Sequence, residues 1–207
     1  MQYQMLKLQA DVMALSGENP RQRQSVSAVD ALWAVDALAI KIKALLPICG
    51  KTLLKEASHL ALGGGEELTP KFTCKKMPCG LYAVDMQLPA TTIRTVSLSV
   101  PGWKRDVSRV ITADSAEWER QWSAEAGIAG CPTMPIAYIG ASQSGVMLRA
   151  MSIEKPFAIE TDTDTETDNT TPPRVSIWRE PETDEDNKFQ FPENLYSELV
   201  SAIAKRF

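Results

Sequence analysis

A chain of 207 residues with 44% apolar and 23% charged residues is long and apolar enough for one domain of ordinary size, or a core domain carrying an insertion, and disorder throughout is excluded. No apolar run approaches the ~20 residues of a membrane span, and Met1 to Ser16 lacks the charged start and small-residue cleavage site of a signal peptide, so the chain is expected to stay in the cell that makes it. The net charge of -4 is uneven: eleven acids against three bases between Glu154 and Asn187 give -8 and leave the rest at +4, too mildly basic for binding by phosphate neutralisation.

In chain order, Met5, Leu8, Val12 and Leu15 recur at helical spacing, and Gly17 and Pro20 follow where a helix stops. Ser25 or Ser27 caps a second helix, in which Val29, Leu32, Trp33, Ile40 and Leu45 run on until Pro47 interrupts the pattern. Its almost continuous apolarity from Ala28 to Ile42 predicts cover on most sides, with Leu32, Trp33 and Ile40 buried against Leu195, Leu199 and Ile203 of a final helix. Lys51 to Leu62 is helix, or helix passing into strand, and Gly63-Gly64-Gly65 ends it as a flexible turn. The triplet is no phosphate loop, because no Gly-Lys-Ser/Thr follows and Glu66 and Glu67 have the wrong sign.

From Leu81 the pattern turns to β: Tyr82, Val84 and Met86 alternate, then Ile93, Val96, Leu98 and Val100, with Pro89 and Pro101-Gly102 as breaks. A strand at Val107 to Thr112 precedes a polar helical turn carrying Trp118 and Trp122, and Ile136 to Ile139 with Val146 to Ile153 form a closing hairpin turning at Gly145. Thr161 to Pro173, TDTDTETDNTTPP, is a low-complexity run read as a loop. Val175, Ile177 and Trp178 hint at one more strand, Glu180 to Asp186 is a second solvated acidic segment, and Pro192-Glu193-Asn194 opens the last helix. The expected fold is α+β, an antiparallel helical bundle with an inserted antiparallel β domain. Its parts are helices over 1–62, a β-rich domain over 63–153, an acidic extended region over 154–191 and a returning helix over 192–207.

Chemistry-bearing constellations are sparse. His59 is the only imidazole and no Gly-x-Ser-x-Gly elbow occurs, so a hydrolase using His59 with Cys131 or a serine lacks motif support. Cys49, Cys74, Cys79 and Cys131 are expected reduced. Cys74 and Cys79 have a C-x4-C spacing without the tight pair a zinc site prefers. Asp162, Asp164, Glu166 and Asp168 alternate like the start of a calcium loop, but Thr167 stands where that loop needs glycine and Pro173 where it needs a bidentate Glu. The expectation is therefore no catalytic residue, no metal and no cofactor. Trp103, with Asp162, Asp164, Glu166, Asp168, Asp184, Glu185 and Asp186, is the candidate interface.

Three stretches carry a family resemblance: the helix ending Leu15-Ser16-Gly17-Glu18-Asn19-Pro20, the long helix through Trp33 to Leu46, and Tyr82 to Pro89 running on to Ile93-Arg94-Thr95-Val96 and Pro101-Gly102-Trp103. With the final Pro192 to Ala204 pattern, Pro-x-x-Leu-Tyr-x-x-Leu-x-x-x-Ile-Ala, the chain resembles the head-tail adaptors of short-tailed phages, the tail tubular protein A type. It departs from them in stopping at Phe207 without a further helix and in carrying the acidic insertion. The resemblance implies a structural virion protein of the neck or tail, passing through the host cytoplasm during assembly. It further implies a homo-oligomeric ring of about twelve subunits with head-to-tail interfaces, docked on the portal protein and on tail or neck ring proteins. Genomic DNA would pass through the lumen without sequence recognition, and no membrane is involved. On this reading the acidic insertion supplies one patch of the ring interface or lines the channel. The alternative from another class is a cytosolic bacterial binding module whose acidic loop captures calcium or mimics DNA charge.

Overall fold

The structure is a computed structural model; it describes residues 1–17, 28–77, 80–107, 110–112, 115, 133, 135–142, 145–153 and 172–206, with the side chains of 28–35 and 142 outside that description. The chain divides into two compact units, a helical one formed by Met1–Gly64 with Trp178–Phe207 and a β one formed by Gly65–Ile177. The fold is thus α+β, with a small helical part and a mixed β domain inserted into it.

In the helical unit β1 (Gln2–Gln4) leads into α1 (Met5–Ser16), where Met5, Leu8 and Val12 are buried and Gly17, at φ 71, ends the helix in the left-handed conformation expected of it. The second helix, α2 (Ala28–Glu56), corrects the expectation that Pro47 interrupts it. A proline removes one backbone hydrogen bond, but Ile42, Leu46, Cys49 and Leu54 form one buried stripe that continues across it. Gly50 belongs to that stripe, since a Cβ there would collide with Pro181 and crowd Phe191. Ile40 is not buried with the last helix as predicted; it is 70% exposed, because two residues before Ile42 it sits on the far side of the stripe. Ala37 and Ala44 are exposed too, so cover on most sides does not hold there, and Leu32 and Trp33 lie outside the described side chains.

Ser58 accepts a hydrogen bond from the Ala61 amide and caps α3 (His59–Leu62), which ends at Gly63. After the β unit the chain forms a short strand, β10 (Lys188–Gln190), antiparallel to β1, then a 3-10 turn (Glu193–Leu195) and α4 (Tyr196–Ala204). Leu195, Leu199, Val200 and Ile203 are buried, and α4 packs on α1 and α2. Phe189 and Phe191 are buried as well, so the stretch after Asp186 is core.

The β unit holds two sheets. One orders β2 (Glu66–Leu68), β9 (Arg174–Arg179) and β5 (Thr92–Ser99); the other orders β3 (Lys71–Lys76), β4 (Tyr82–Leu88), β8 (Gly145–Ile153), β7 (Ala137–Ser142) and β6 (Val110–Thr112). Val84, Met86 and Leu88 alternate into one core with Leu148, Ala150 and Ala137 of the same sheet and Leu98, Val175 and Ile177 of the other. The hairpin of β7 and β8 is as predicted. The domain is not purely antiparallel, however: β6 runs parallel to β7, and such a pair needs a long crossover, here the 24 residues between Thr112 and Ala137 that contain the expected Trp118 and Trp122 turn and lie mostly outside the described residues. The strand over Arg174 to Arg179 is the middle of a buried sheet, so it does not belong to an extended acidic region over 154–191. Pro101-Gly102 is a tight turn in which the Trp103 amide donates to the Val100 carbonyl and Gly102, at φ 88, takes the positive φ that a type II turn asks of its third position.

Candidate functional site

The interface residues expected from the sequence fall in three places. Asp162, Asp164, Glu166 and Asp168 lie outside the described residues, as do Cys79 and Cys131. Trp103 is half-buried against the β core and its indole N–H donates to the Met151 carbonyl at 2.9 Å. That carbonyl is presented by a bulge: Tyr82 faces Ile153 while Val84 faces Ala150, so β8 has an extra residue there, with Ser152 at φ 68. Trp103 thus pins an irregular strand.

Asp184, Glu185 and Asp186 form a tight turn. The Asn187 amide donates to the Asp184 carbonyl at 3.0 Å and the Asp184 amide to the Lys188 carbonyl at 2.8 Å. The Asp184 carboxylate accepts from the Lys188 amide at 2.7 Å, and Asn187 adopts φ 56, a left-handed position that asparagine tolerates. The Asn187 carbonyl accepts from the Met5 amide at 2.9 Å, so the turn aligns β10 with β1 and the start of α1. Asp184 therefore serves local turn geometry, Asp186 pairs with Lys188 at 3.1 Å, and Glu185 is exposed.

Beside this turn, Tyr3 stacks on Tyr196 at 4.2 Å between ring centroids, the Tyr196 hydroxyl donates to Asp11 at 2.7 Å, and the Lys7 ammonium lies over both rings. Burial and the Asp11 carboxylate push the Tyr196 hydroxyl well above the ordinary phenol range, so it stays a protonated donor. Outside the core, the helical unit exposes large apolar side chains on three helices: Leu6 and Leu15 on α1, Ile40 and Ile48 on α2, and Leu60 on α3. On α2 these continue as Ala37, Ile40, Ala44 and Ile48, within a quarter-turn of one another, with Lys41 and Lys55 at their margin.

In the β unit the face of the larger sheet opposite the core carries a polar group that sequence reasoning missed. Asp85 of β4 faces Arg149 of β8, which faces Tyr138 of β7. Arg149 grips the carboxylate with both Nε, at 2.5 Å, and a terminal nitrogen, at 2.9 Å; Lys75 of β3 adds a third contact at 3.0 Å. Burial by itself would raise the Asp85 pKa, but the hydrogen bonds and charges of Arg149 and Lys75 outweigh it and hold the carboxyl below its ordinary range. The signal was one charged residue inside each apolar strand, YAVDMQL and VMLRAMSI, but which charges meet depends on strand register.

Burial raises both the Cys49 and Cys74 thiols, away from the thiolate form that nucleophilic or metal chemistry needs. Among the described residues no three His, Cys, Asp or Glu side chains converge as a metal site would require, and no helix is long and apolar enough to cross a membrane. Comparison with protein-family models, with curated proteins and with solved structures found no match.

Proposed function

We propose that this chain is a structural subunit of a phage head-tail connector, an adaptor ring between portal and tail whose lumen passes DNA without reading its sequence. The observation that carries the proposal is the exposed apolar strip of Ala37, Ile40, Ala44 and Ile48 on α2, beside which α1 exposes Leu6 and Leu15 on two opposite sides. A closed ring needs head-to-tail contacts, in which each subunit offers two different patches instead of one self-complementary patch. Patches of branched aliphatic side chains left open on a folded unit mark interaction surfaces. The helices α1, α2 and α4 would form the antiparallel bundle of such adaptors, with the β domain inserted between its second and last members. Trp103 and Asp184 are engaged within the chain, so the ring contact is assigned to the helices.

The test is the mass of the full chain in solution by light scattering, alone and with a portal ring. The expected result is a closed assembly of about twelve copies, formed alone or on the portal, and dispersal to monomers in the variant with both Ile40→Lys and Ile48→Lys. A wild-type chain that stays monomeric at high concentration and ignores the portal would overturn the proposal.

A further inference from the structure

The chain has four tyrosines, and the helical unit brings two of them into contact. Tyr3 lies at the centre of β1, paired with Phe189 of β10, and Tyr196 opens α4. Their rings stack at 4.2 Å between centroids and 11° from parallel, and Phe189 stacks on Tyr3 as well, at 5.7 Å. Tyr3 is only 7% exposed, whereas Tyr196 is half-buried. Two side chains of α1, one turn apart on the same side of that helix, complete the group. The Lys7 ammonium lies 5.2 Å from the Tyr196 centroid, and Asp11 accepts the Tyr196 hydroxyl at 2.7 Å.

A hydrogen-bond partner for a half-buried phenol is ordinary. A carboxylate in that place has a consequence that a backbone carbonyl lacks, because it can take the proton. A phenol surrenders an electron more readily when its proton leaves in the same step, and a base already at hydrogen-bond distance provides that exit. The stacked ring of Tyr3 then lies close to van der Waals contact with any radical formed on Tyr196.

We propose that Tyr3 and Tyr196 are a modification site, an oxidisable pair that a one-electron oxidant joins into a dityrosine cross-link between β1 and α4. One equivalent of oxidant takes an electron from Tyr196 while the hydroxyl proton passes to Asp11, leaving a neutral phenoxyl radical. A second equivalent takes an electron from Tyr3, whose proton goes to solvent. The two radicals form one bond between the ring carbons next to the oxygens, and the hydrogens on those carbons move to the oxygens, restoring both hydroxyls. The chain has then lost two electrons and two protons, and two equivalents of oxidant have each gained one electron. A ring as buried as Tyr3 is out of reach of a second copy, so the bond forms within the chain. A cross-link over so long a loop restricts chiefly the unfolded chain, so the joined protein unfolds at a higher temperature. This site stands independently of the adaptor proposal.

The test is oxidation of the full chain near pH 7 by ruthenium tris-bipyridine and persulfate under light, which generates a one-electron oxidant. Dityrosine fluorescence and peptide mapping by mass spectrometry read the result. The expected product has, under denaturing conditions, the mass of one chain less two hydrogen atoms, and joins the Tyr3 peptide to the Tyr196 peptide in a yield independent of protein concentration. Its Tm should lie above that of the untreated chain. Tyr3→Phe keeps a stacked ring and should abolish the product. Asp11→Asn keeps a hydrogen-bond acceptor that takes no proton and should slow coupling at least about tenfold, and Asp11→Glu should restore part of the rate. An unchanged circular dichroism spectrum shows that each variant is folded. Absence of the Tyr3–Tyr196 product, coupling through Tyr82 or Tyr138 in its place, or links only between copies would overturn the proposal. So would an Asp11→Asn variant that couples as fast as wild type.

Discussion

Replacing Arg149 by Met keeps the length and apolar stem of the side chain while removing both hydrogen bonds to Asp85. The Asp85 side chain is only 10% exposed and that of Arg149 19%, so the stranded carboxylate keeps one direct ion-pair partner, Lys75, whose own side chain is 63% exposed. Losing a partner of a fully buried pair costs roughly 3–5 kcal/mol, and the partial exposure here brings the expected loss near pH 7 to about 2–3 kcal/mol. The pH dependence gives the argument its sign. In the wild type the folded Asp85 carboxyl titrates below its unfolded value, so its contribution is present above the ordinary carboxylate range and lost as pH falls through the lower folded value. Without Arg149 the lowering is largely gone and burial pushes the carboxyl upward, so the variant forfeits that contribution at neutral pH. Urea unfolding of wild type and Arg149→Met should therefore show the full difference near pH 7 and a much smaller one near pH 3, where the carboxyl is protonated in the unfolded chain. Equal differences at both pH values would refute the ion-pair account and leave only a packing loss.

Two further substitutions probe the helical unit. Leu199→Ala, at a position with no exposed surface where α4 meets its neighbours, should cost ~2–5 kcal/mol in the same urea assay. At the turn joining to β10, Asn187→Gly should be nearly neutral, whereas Asn187→Val forces a β-branched residue to φ 56 and should cost about 1–3 kcal/mol, read as a lowered Tm.

Much of the local structure was legible because it is written in short-range patterns. The apolar spacing of Met5, Leu8 and Val12 with Gly17 behind it, the alternation from Tyr82 onward, the Pro101-Gly102 turn and the hairpin around Gly145 each depend on residues within a few positions of one another. The strand at Val175 to Trp178 was visible for the same reason. Three-residue pairings such as β1 with β10 were not, since so short a run carries no period.

What only the tertiary structure decided is which surfaces meet. The sequence shows that α2 is apolar nearly all round, but the neighbours that cover Ile42, Leu46 and Leu54 and leave Ile40 and Ile48 open come from segments far along the chain. Pro47 reads locally as a stop, and the burial that carries the helix past it is a long-range term absent from any window of sequence. Asp85 and Arg149 are 64 positions apart and meet because β4 and β8 pair in one register; a slip of one residue would turn both to the other face. Local propensity is encoded in neighbouring residues, but register and burial are properties of the assembled chain, and both the open face of α2 and the Asp85–Arg149 pair are defined by them.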